Sequence, residues 1–216
     1  MGAKSTAVVF EQPGKMALRP VELPEPRSTD CVDEVHWTGI STGTERLLWD
    51  GRMPPFPGLA YPLVPGYESV GHVVSSGDVA QLEVGQPVFV PGSRRFTDVH
   101  GLFGGAARSL VVPAERLVLL PSEMESKGVL LALAATACHA LRRIEDLGAP
   151  ELIIGHGALG RLVARACMAR YQVVPTVWET SPERREGEHS YLVLDPAEDD
   201  RRDYQRVCDV SGSSTI

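Results

Sequence analysis

The segment Gly155-His156-Gly157-Ala158-Leu159-Gly160 places three glycines at the spacing that cradles a pyrophosphate. It directly follows the apolar run ELII (151–154) and opens the amphipathic run ALGRLVARACMA, so strand, turn and helix follow in the required order. The first glycine permits the tight turn, the second lets a phosphate approach the backbone, and the third brings helix close to strand. Backbone N–H groups at the helix start, around Leu159 and Gly160, would then face the phosphates with the helix dipole behind them. The expected cofactor-binding set is Gly155, Gly157, Leu159 and Gly160, with Glu179 at the end of the next apolar run, PTVWE. An acid at that place accepts hydrogen bonds from ribose hydroxyls and repels a 2′-phosphate, which points to NAD over NADP. Arg184 and Arg185 follow closely and keep the 2′-phosphate reading open. Glycines that merely close a strand–helix turn are the plainer alternative, and His156 reads as a variable loop position rather than a catalyst.

The elements that must position this site fall into two textures. Up to about Pro121, short apolar runs alternate with Gly and Pro: STAVVF, DEVHWTGIS, SVGHVVSSG, QPVFVPG, RSLVVP and RLVLLP. Such runs predict an antiparallel β-barrel or sandwich. The proline-rich segment 50–65 reads as a stiff, irregular loop. Beyond Pro121 the period changes. SEMESKGVLLALAATACHALRRIEDLG contains helix formers, a Ser122/Glu125 capping-box spacing and a stop at Gly148, which predicts one or two bridging helices. The glycine turn then opens a βαβ unit, and YLVLD and RVCDVSG supply two further strands.

Composition narrows the partners. A net charge of −7 over 216 residues disfavours nucleic acid and anionic membrane. No apolar run approaches the roughly 18 residues of a membrane span, and the N-terminus lacks a signal-peptide core; the expectation is a cytoplasmic protein. Cys31, Cys138, Cys167 and Cys208 are scattered without a CxxC pair, so they read as free thiols rather than disulfides or zinc ligands.

A second place asks for chemistry. In YPLVPGYESVGHVV, Glu68 follows Gly66-Tyr67 in an apolar setting where a carboxyl is expensive. A catalytic site, the remains of a metal site and a structural corner all remain open for it.

A glycine-punctuated β region followed by a late GxGxxG resembles the medium-chain dehydrogenase/reductase superfamily, over nearly the whole chain. The resemblance implies a GroES-like β-barrel domain, 1–121, then linker helices and a partial Rossmann NAD-binding domain with a doubly wound parallel sheet, 122–216. Within that superfamily, WTGISTGTERLLWDGRMPPFPGLAYPLVPGYESVG, GLFGGAA, LLALAATACHAL and LIIGHGALGRLVAR are similar to the family of 3-hydroxyethyl bacteriochlorophyllide a dehydrogenases. That family implies an NAD-dependent alcohol dehydrogenase of bacteriochlorophyll biosynthesis, a tetrapyrrole substrate and a homodimer in the full-length assembly.

Zinc members of the superfamily carry a Gly-Ile-Cys segment, a Gly-His-Glu corner and a third ligand before a helix Thr. Here Thr42 stands in the Cys place, Tyr67 replaces the His, and Ala132 precedes Thr136 where the third ligand would fall. Hydroxyl, phenol and methyl offer no thiolate or imidazole, so no zinc is expected. The four-cysteine lobe is missing as well. The resemblance then assigns Thr44, Tyr67 and Glu68 to catalysis and Thr136 to the cofactor. Thr44 would relay the substrate proton and Tyr67 hydrogen-bond the reacting oxygen. The plainer alternatives are packing for Tyr67, a backbone acceptor for Glu68 and a cofactor-side helix residue for His139. Trp37, Trp49 and Phe56 are candidates to line a cleft for a flat macrocycle. Relatives need further strands after DVSG, so the chain reads as a truncated member whose own activity is open. The rival readings are an NAD(P)H-dependent quinone or enone reductase and an inactive chain that only binds.

Overall fold

A computed structural model describes residues 3–93 and 95–212, which fall into two compact units, one up to Ala132 and one from Leu133. The first unit contains β1 (Lys4–Gln12), β2 (Lys15–Glu22), β3 (Asp30–Thr38), helix α1 (Thr44–Trp49), β4 (Leu63–Val64), β5 (Ser69–Ser76), β6 (Pro87–Val90), β7 (His100–Gly101), β8 (Ser109–Pro113) and β9 (Val118–Leu119). They form two sheets, in the orders β2-β1-β4-β7 and β8-β3-β5-β6-β9. The expected alternation is present: along β1, Ser5, Ala7 and Val9 are buried while Lys4 and Thr6 face out. These inward residues join Val21, Cys31, Val73, Val88 and Leu110 in one core, whose burial drives closure of the sheets.

β2 was not among the expected runs. It contains Pro20, which lacks the N–H that an interior strand must donate, and it lies at the edge of its sheet. The segment 50–65 is irregular as expected, apart from the two residues of β4.

The region after Pro121 departs from expectation. Ser122 makes no side-chain cap. Residues Ser122–Leu130 form 3-10 turns, interrupted at Glu125 with φ 41° and ψ −132°. Gly128 explains the departure, because a Cβ there would meet Leu120 at 2.7 Å and Val70 at 2.9 Å. Packing onto the barrel overrides the local helix signal. The regular helix, α2 (Leu131–Arg143), begins only after it.

The second unit contains β10 (Leu152–Ile154), α3 (Ala158–Tyr171), β11 (Thr176–Trp178), α4 (Pro182–Arg185), β12 (Leu192–Leu194) and β13 (Val207–Asp209). Its strands are all parallel, in the order β12-β11-β10-β13. Chain order reverses at β10, and ligands of such sheets bind at the carboxyl ends beside that reversal. α3 buries Gly160, Val163, Ala164 and Cys167, a helical stripe, against Ile153 and Val177, while Ala137 and Leu141 of α2 join the same core. Among the described residues no helix is long and apolar enough to cross a membrane.

One core residue contradicts its surroundings. Asp33 on β3 is fully buried between Val73 and Leu110 of the neighbouring strands, and neither carboxyl oxygen has a hydrogen-bond partner. Burial pushes its pKa up from 3.8 to about 7. The folded state therefore holds this proton more tightly than the unfolded chain. Its stabilising effect is complete below the unfolded value, declines as pH rises between the two, and is lost above the folded value. Asp33→Asn should gain stability over the parent as pH rises from 4 to 8, by on the order of 4 kcal/mol at most. Urea midpoints at both ends of that window read the effect, and a difference independent of pH would refute it.

Candidate functional site

The glycine turn leaves β10 with Gly155 at φ 100°, where the N–H of Gly155 donates to the Trp178 carbonyl of β11 at 2.8 Å. A Cβ on Gly157 would meet nothing within 4 Å, so the backbone face there is open to a ligand. A Cβ on Gly160 would lie 1.9 Å from the Gly155 carbonyl oxygen, so only glycine lets α3 start this close to the strand. The first intrahelical bond runs from the Arg161 N–H to the Gly157 carbonyl at 3.0 Å. The N–H groups of Ala158, Leu159 and Gly160 precede it, free of the helix ladder and directed past its end.

Glu179 ends β11 and is only 6% exposed. Its two oxygens accept from the N–H groups of His156 and Ser181, each at 2.9 Å. Burial alone would raise its pKa, but those two donations, with the nearby Arg184 guanidinium, hold the carboxyl below its ordinary value. Arg184, 62% exposed, stands 3.9 Å from the carboxylate. Arg185 is committed elsewhere, to the Glu179 carbonyl at 2.9 Å and the Asp195 carboxylate at 2.8 Å.

His156 is far from a variable filler. It is fully buried, with Nδ1 2.6 Å from the Arg184 carbonyl and Nε2 2.9 Å from the Tyr191 hydroxyl. Sequence reasoning passed over it. An imidazole between two glycines of a phosphate turn was the one available signal, because no solvent-exposed loop needs so large a side chain there. Thr136 and His139 are exposed on α2, whose next residue, Ala137, is buried in the core of this unit.

In the first unit, α1 and the corner before β5 bring Thr44 and Tyr67 together, with their hydroxyl oxygens 3.3 Å apart. The Thr44 N–H is anchored by the Ser41 hydroxyl at 3.3 Å. The pair faces a cavity of about 500 Å³ lined by Leu47, Met53, Phe56, Leu102 and Phe103. Tyr67 stands edge-on to Phe103 at 5.5 Å, which in turn meets Phe56 at 6.2 Å. Of the three aromatics expected around a macrocycle, Phe56 lines this cavity. Trp49 instead packs edge-on against Phe10 at 5.7 Å, and Trp37 borders a separate groove beside His36 and Leu18.

Glu68 lies behind this pair, 5% exposed, and does not line the cavity. Its carbonyl accepts from the Gly39 N–H at 2.8 Å. A Cβ on Gly39 would lie 2.3 Å from its Oε2. Glu45 is buried too, and burial, then the nearby Glu68 charge, raises its pKa; burial does the same to Glu68. One carboxyl oxygen of each has no hydrogen-bond partner.

The donor set does not fit zinc. Thr42 is exposed, Tyr67 offers a phenol and Ala132 offers a methyl, so neither thiolate nor imidazole is supplied. Among the described residues no group of three His, Cys, Asp or Glu side chains is arranged to hold a metal.

Residues 29–122 match the alcohol dehydrogenase GroES-like domain. The 2-desacetyl-2-hydroxyethyl bacteriochlorophyllide A dehydrogenase of Cereibacter sphaeroides is 49% identical over 218 residues, 99% of this chain and 68% of that protein. Its namesake from Rhodobacter capsulatus is 47% identical, over 97% of this chain and 67% of that protein. The chain thus spans about two thirds of the length of these relatives. Solved structures share the fold. A short chain alcohol dehydrogenase from E. coli CFT073, complexed with NADH, has a TM-score of 0.71 at 20% identity, covering 91% of this chain and 64% of that one. A zinc-binding dehydrogenase from Sinorhizobium meliloti 1021, so described and bound to NADP, has a TM-score of 0.68 at 24% identity, covering 92% and 64%. The chain belongs to the family of the 2-desacetyl-2-hydroxyethyl bacteriochlorophyllide A dehydrogenases, within the medium-chain dehydrogenase/reductase superfamily.

Proposed function

We propose that this chain serves the NAD-dependent oxidation of the 3-(1-hydroxyethyl) group of a bacteriochlorophyllide to a 3-acetyl group, without zinc. In this reading residues 1–121 form the substrate domain and 122–216 the cofactor side, acting in the cytoplasm and assembling as a homodimer in the full-length family. The observation that carries the chemistry is the Thr44–Tyr67 hydroxyl pair, 3.3 Å apart, at the polar end of an otherwise apolar cavity.

A nicotinamide bound there would supply the hydride acceptor for the carbinol carbon, so that oxidation leaves a ketone and one proton. Thr44 accepts the substrate hydroxyl's hydrogen bond and relays that proton, and Tyr67 holds the reacting oxygen. Glu68 completes the set from behind, its carboxyl pressed against Gly39 so that the corner carrying Tyr67 stays in place. Leu47, Met53, Phe56 and Phe103 keep water from the carbinol and receive the flat, apolar edge of the macrocycle. A product acetyl conjugated with that ring lowers the demand on the catalyst, consistent with a site lacking a Lewis acid. On the cofactor side, Gly155, Gly157, Leu159 and Gly160 receive the pyrophosphate, Thr136 lies on the helix beside it, and Glu179 meets the ribose.

A second reading rests on Arg184. Its exposed guanidinium beside Glu179 suits a 2′-phosphate, which would favour NADPH and reduction of a quinone or enone.

Thermal unfolding of the chain titrated with NAD⁺ and NADP⁺ separates these readings. NAD⁺ at a hundred times its Kd should stabilise by about 2.7 kcal/mol. A larger shift with NADP⁺ favours the second reading, and no shift with either favours a chain without cofactor function. Gly160→Ala should abolish the NAD⁺ shift, since its methyl has no room beside the Gly155 carbonyl. With substrate, Tyr67→Phe and Thr44→Ala should each lower kcat/KM by about 10²-fold or more. A chelator should leave the rate unchanged, and loss of activity restored by added zinc would refute the metal-free reading.

A further inference from the structure

His156, with Arg161 beside it, ties the phosphate turn to the segment bearing Glu179 and Arg184. It touches four segments of this unit. Its backbone N–H donates to Glu179 Oε2 at 2.9 Å, and its carbonyl accepts from Arg161 Nε of α3 at 3.1 Å. Its ring reaches the Arg184 carbonyl on α4 at 2.6 Å and the Tyr191 hydroxyl ahead of β12 at 2.9 Å. Arg161 closes the circuit by donating to that same Arg184 carbonyl at 3.1 Å.

The tautomer follows from the partners. A carbonyl oxygen only accepts, so Nδ1 must carry a proton, and Nε2 is then the acceptor for the Tyr191 hydroxyl. A second proton on the ring would turn Nε2 into a donor and deprive the phenol of its acceptor. It would also place a buried cation beside the Arg161 and Arg184 side chains and His189, whose ring packs edge-on at 4.6 Å. The Arg184 carbonyl and Glu179 favour that charge. Burial, together with Arg161 and His189, wins over the Arg184 carbonyl and Glu179, and the imidazole is held below its ordinary pKa.

We propose that His156 is a positioning residue for the dinucleotide, locking the phosphate turn to the segment that bears Glu179 and Arg184, and that it does so only as the neutral, Nδ1-protonated imidazole. The proposal rests on the nucleotide-binding reading above and adds to it the residue that sets the distance between the pyrophosphate and ribose contacts. His156 itself touches no cofactor atom. It fixes Glu179 through one backbone bond and the Arg184 segment through one ring bond, so that both halves of the site move together.

The test is the pH dependence of NAD⁺ affinity, from calorimetric or thermal-shift titration between pH 5 and 8, in the chain as it stands. The parent should lose affinity as the medium is acidified below the ordinary imidazole range, because burial holds this ring's pKa down, while Glu179, held below the ordinary carboxylate range, stays ionised. His156→Asn keeps a side-chain N–H near the Nδ1 position but cannot take up a proton. It should bind about tenfold more weakly at pH 8 through loss of the Tyr191 contact, with a flat pH profile. His156→Ala, which loses both ring bonds, should bind about thirtyfold more weakly. His189→Asn should keep a pH-dependent profile, moved toward higher pH by loss of the neighbouring ring, which separates the two histidines.

An H156N variant with the parent's affinity and the parent's profile overturns the proposal. So does a pH dependence that disappears in H189N and survives in H156N. If H156A fails to fold, H156N and Tyr191→Phe decide the matter, and unaltered affinity in both overturns it. A parent that binds neither NAD⁺ nor NADP⁺ overturns the nucleotide reading, and this inference with it. A parent that binds while the variants match it overturns the inference alone.

Discussion

Carboxyl groups taken out of water have to be neutralised, paired or hydrogen-bonded, and the surroundings of this chain's buried acids follow from that requirement. Asp30 meets it with a cation, the Arg95 guanidinium, and with the Arg27 N–H at 2.9 Å. Asp33, three residues along the same strand and with no partner, meets it by holding its proton more tightly. Glu179 meets it with backbone donors and stays ionised where a ribose would be read. Glu45 and Glu68, with one orphaned oxygen each, have their pKa values raised by burial. One residue type thus has its pKa lowered at Glu179 in the second unit and raised at Glu45 and Glu68 in the first. Hydrogen-bond supply makes the difference, since all of these groups are removed from water.

Glycine chemistry was the most legible part of the sequence because it is a backbone property. At Gly155, Gly157 and Gly160 the positive φ, the open face and the close approach each follow from the absence of a Cβ, so spacing alone forecasts them. The barrel strands were legible where short apolar runs stand between turn residues, as in β1 and β5. β2 was missed because Pro20 reads as a breaker, and only its place at a sheet edge makes a strand there acceptable. The Ser122/Glu125 spacing misled in the opposite direction. A capping box is a local signal worth about 1 kcal/mol, and the packing of Gly128 on Leu120 and Val70 outweighs it.

The site was half legible for a related reason. Thr44 and Tyr67, far apart in sequence, do meet, and a resemblance of pattern anticipated that better than periodicity could. Glu45 and His156 were not singled out because their importance lies in what surrounds them. A carboxyl beside another carboxyl, or an imidazole between a carbonyl and a phenol, is a tertiary fact, and its trace in one dimension is at most the placement of His156 between two glycines.

The Gly66-Tyr67-Glu68 corner shows how a metal-type sequence persists without a metal's donor set. Were Glu68 retained only for a cation, its neighbours would offer further ligands, yet the nearest sequence positions supply a phenol and a hydroxyl. Gly39 offers another reason for the acid. Its missing side chain leaves a recess into which the Glu68 carboxyl presses, and its N–H is held by the Glu68 carbonyl at 2.8 Å. The recess and the acid fit each other, so replacing either alone leaves a void or a clash. That fit also sets the direction of the corner, because Glu68 is drawn inward and Tyr67, its neighbour in the chain, projects toward the cavity. A buried carboxyl outside the cavity thus helps aim the phenol that lines it, and that steric fit gives the acid a structural role that calls for no metal.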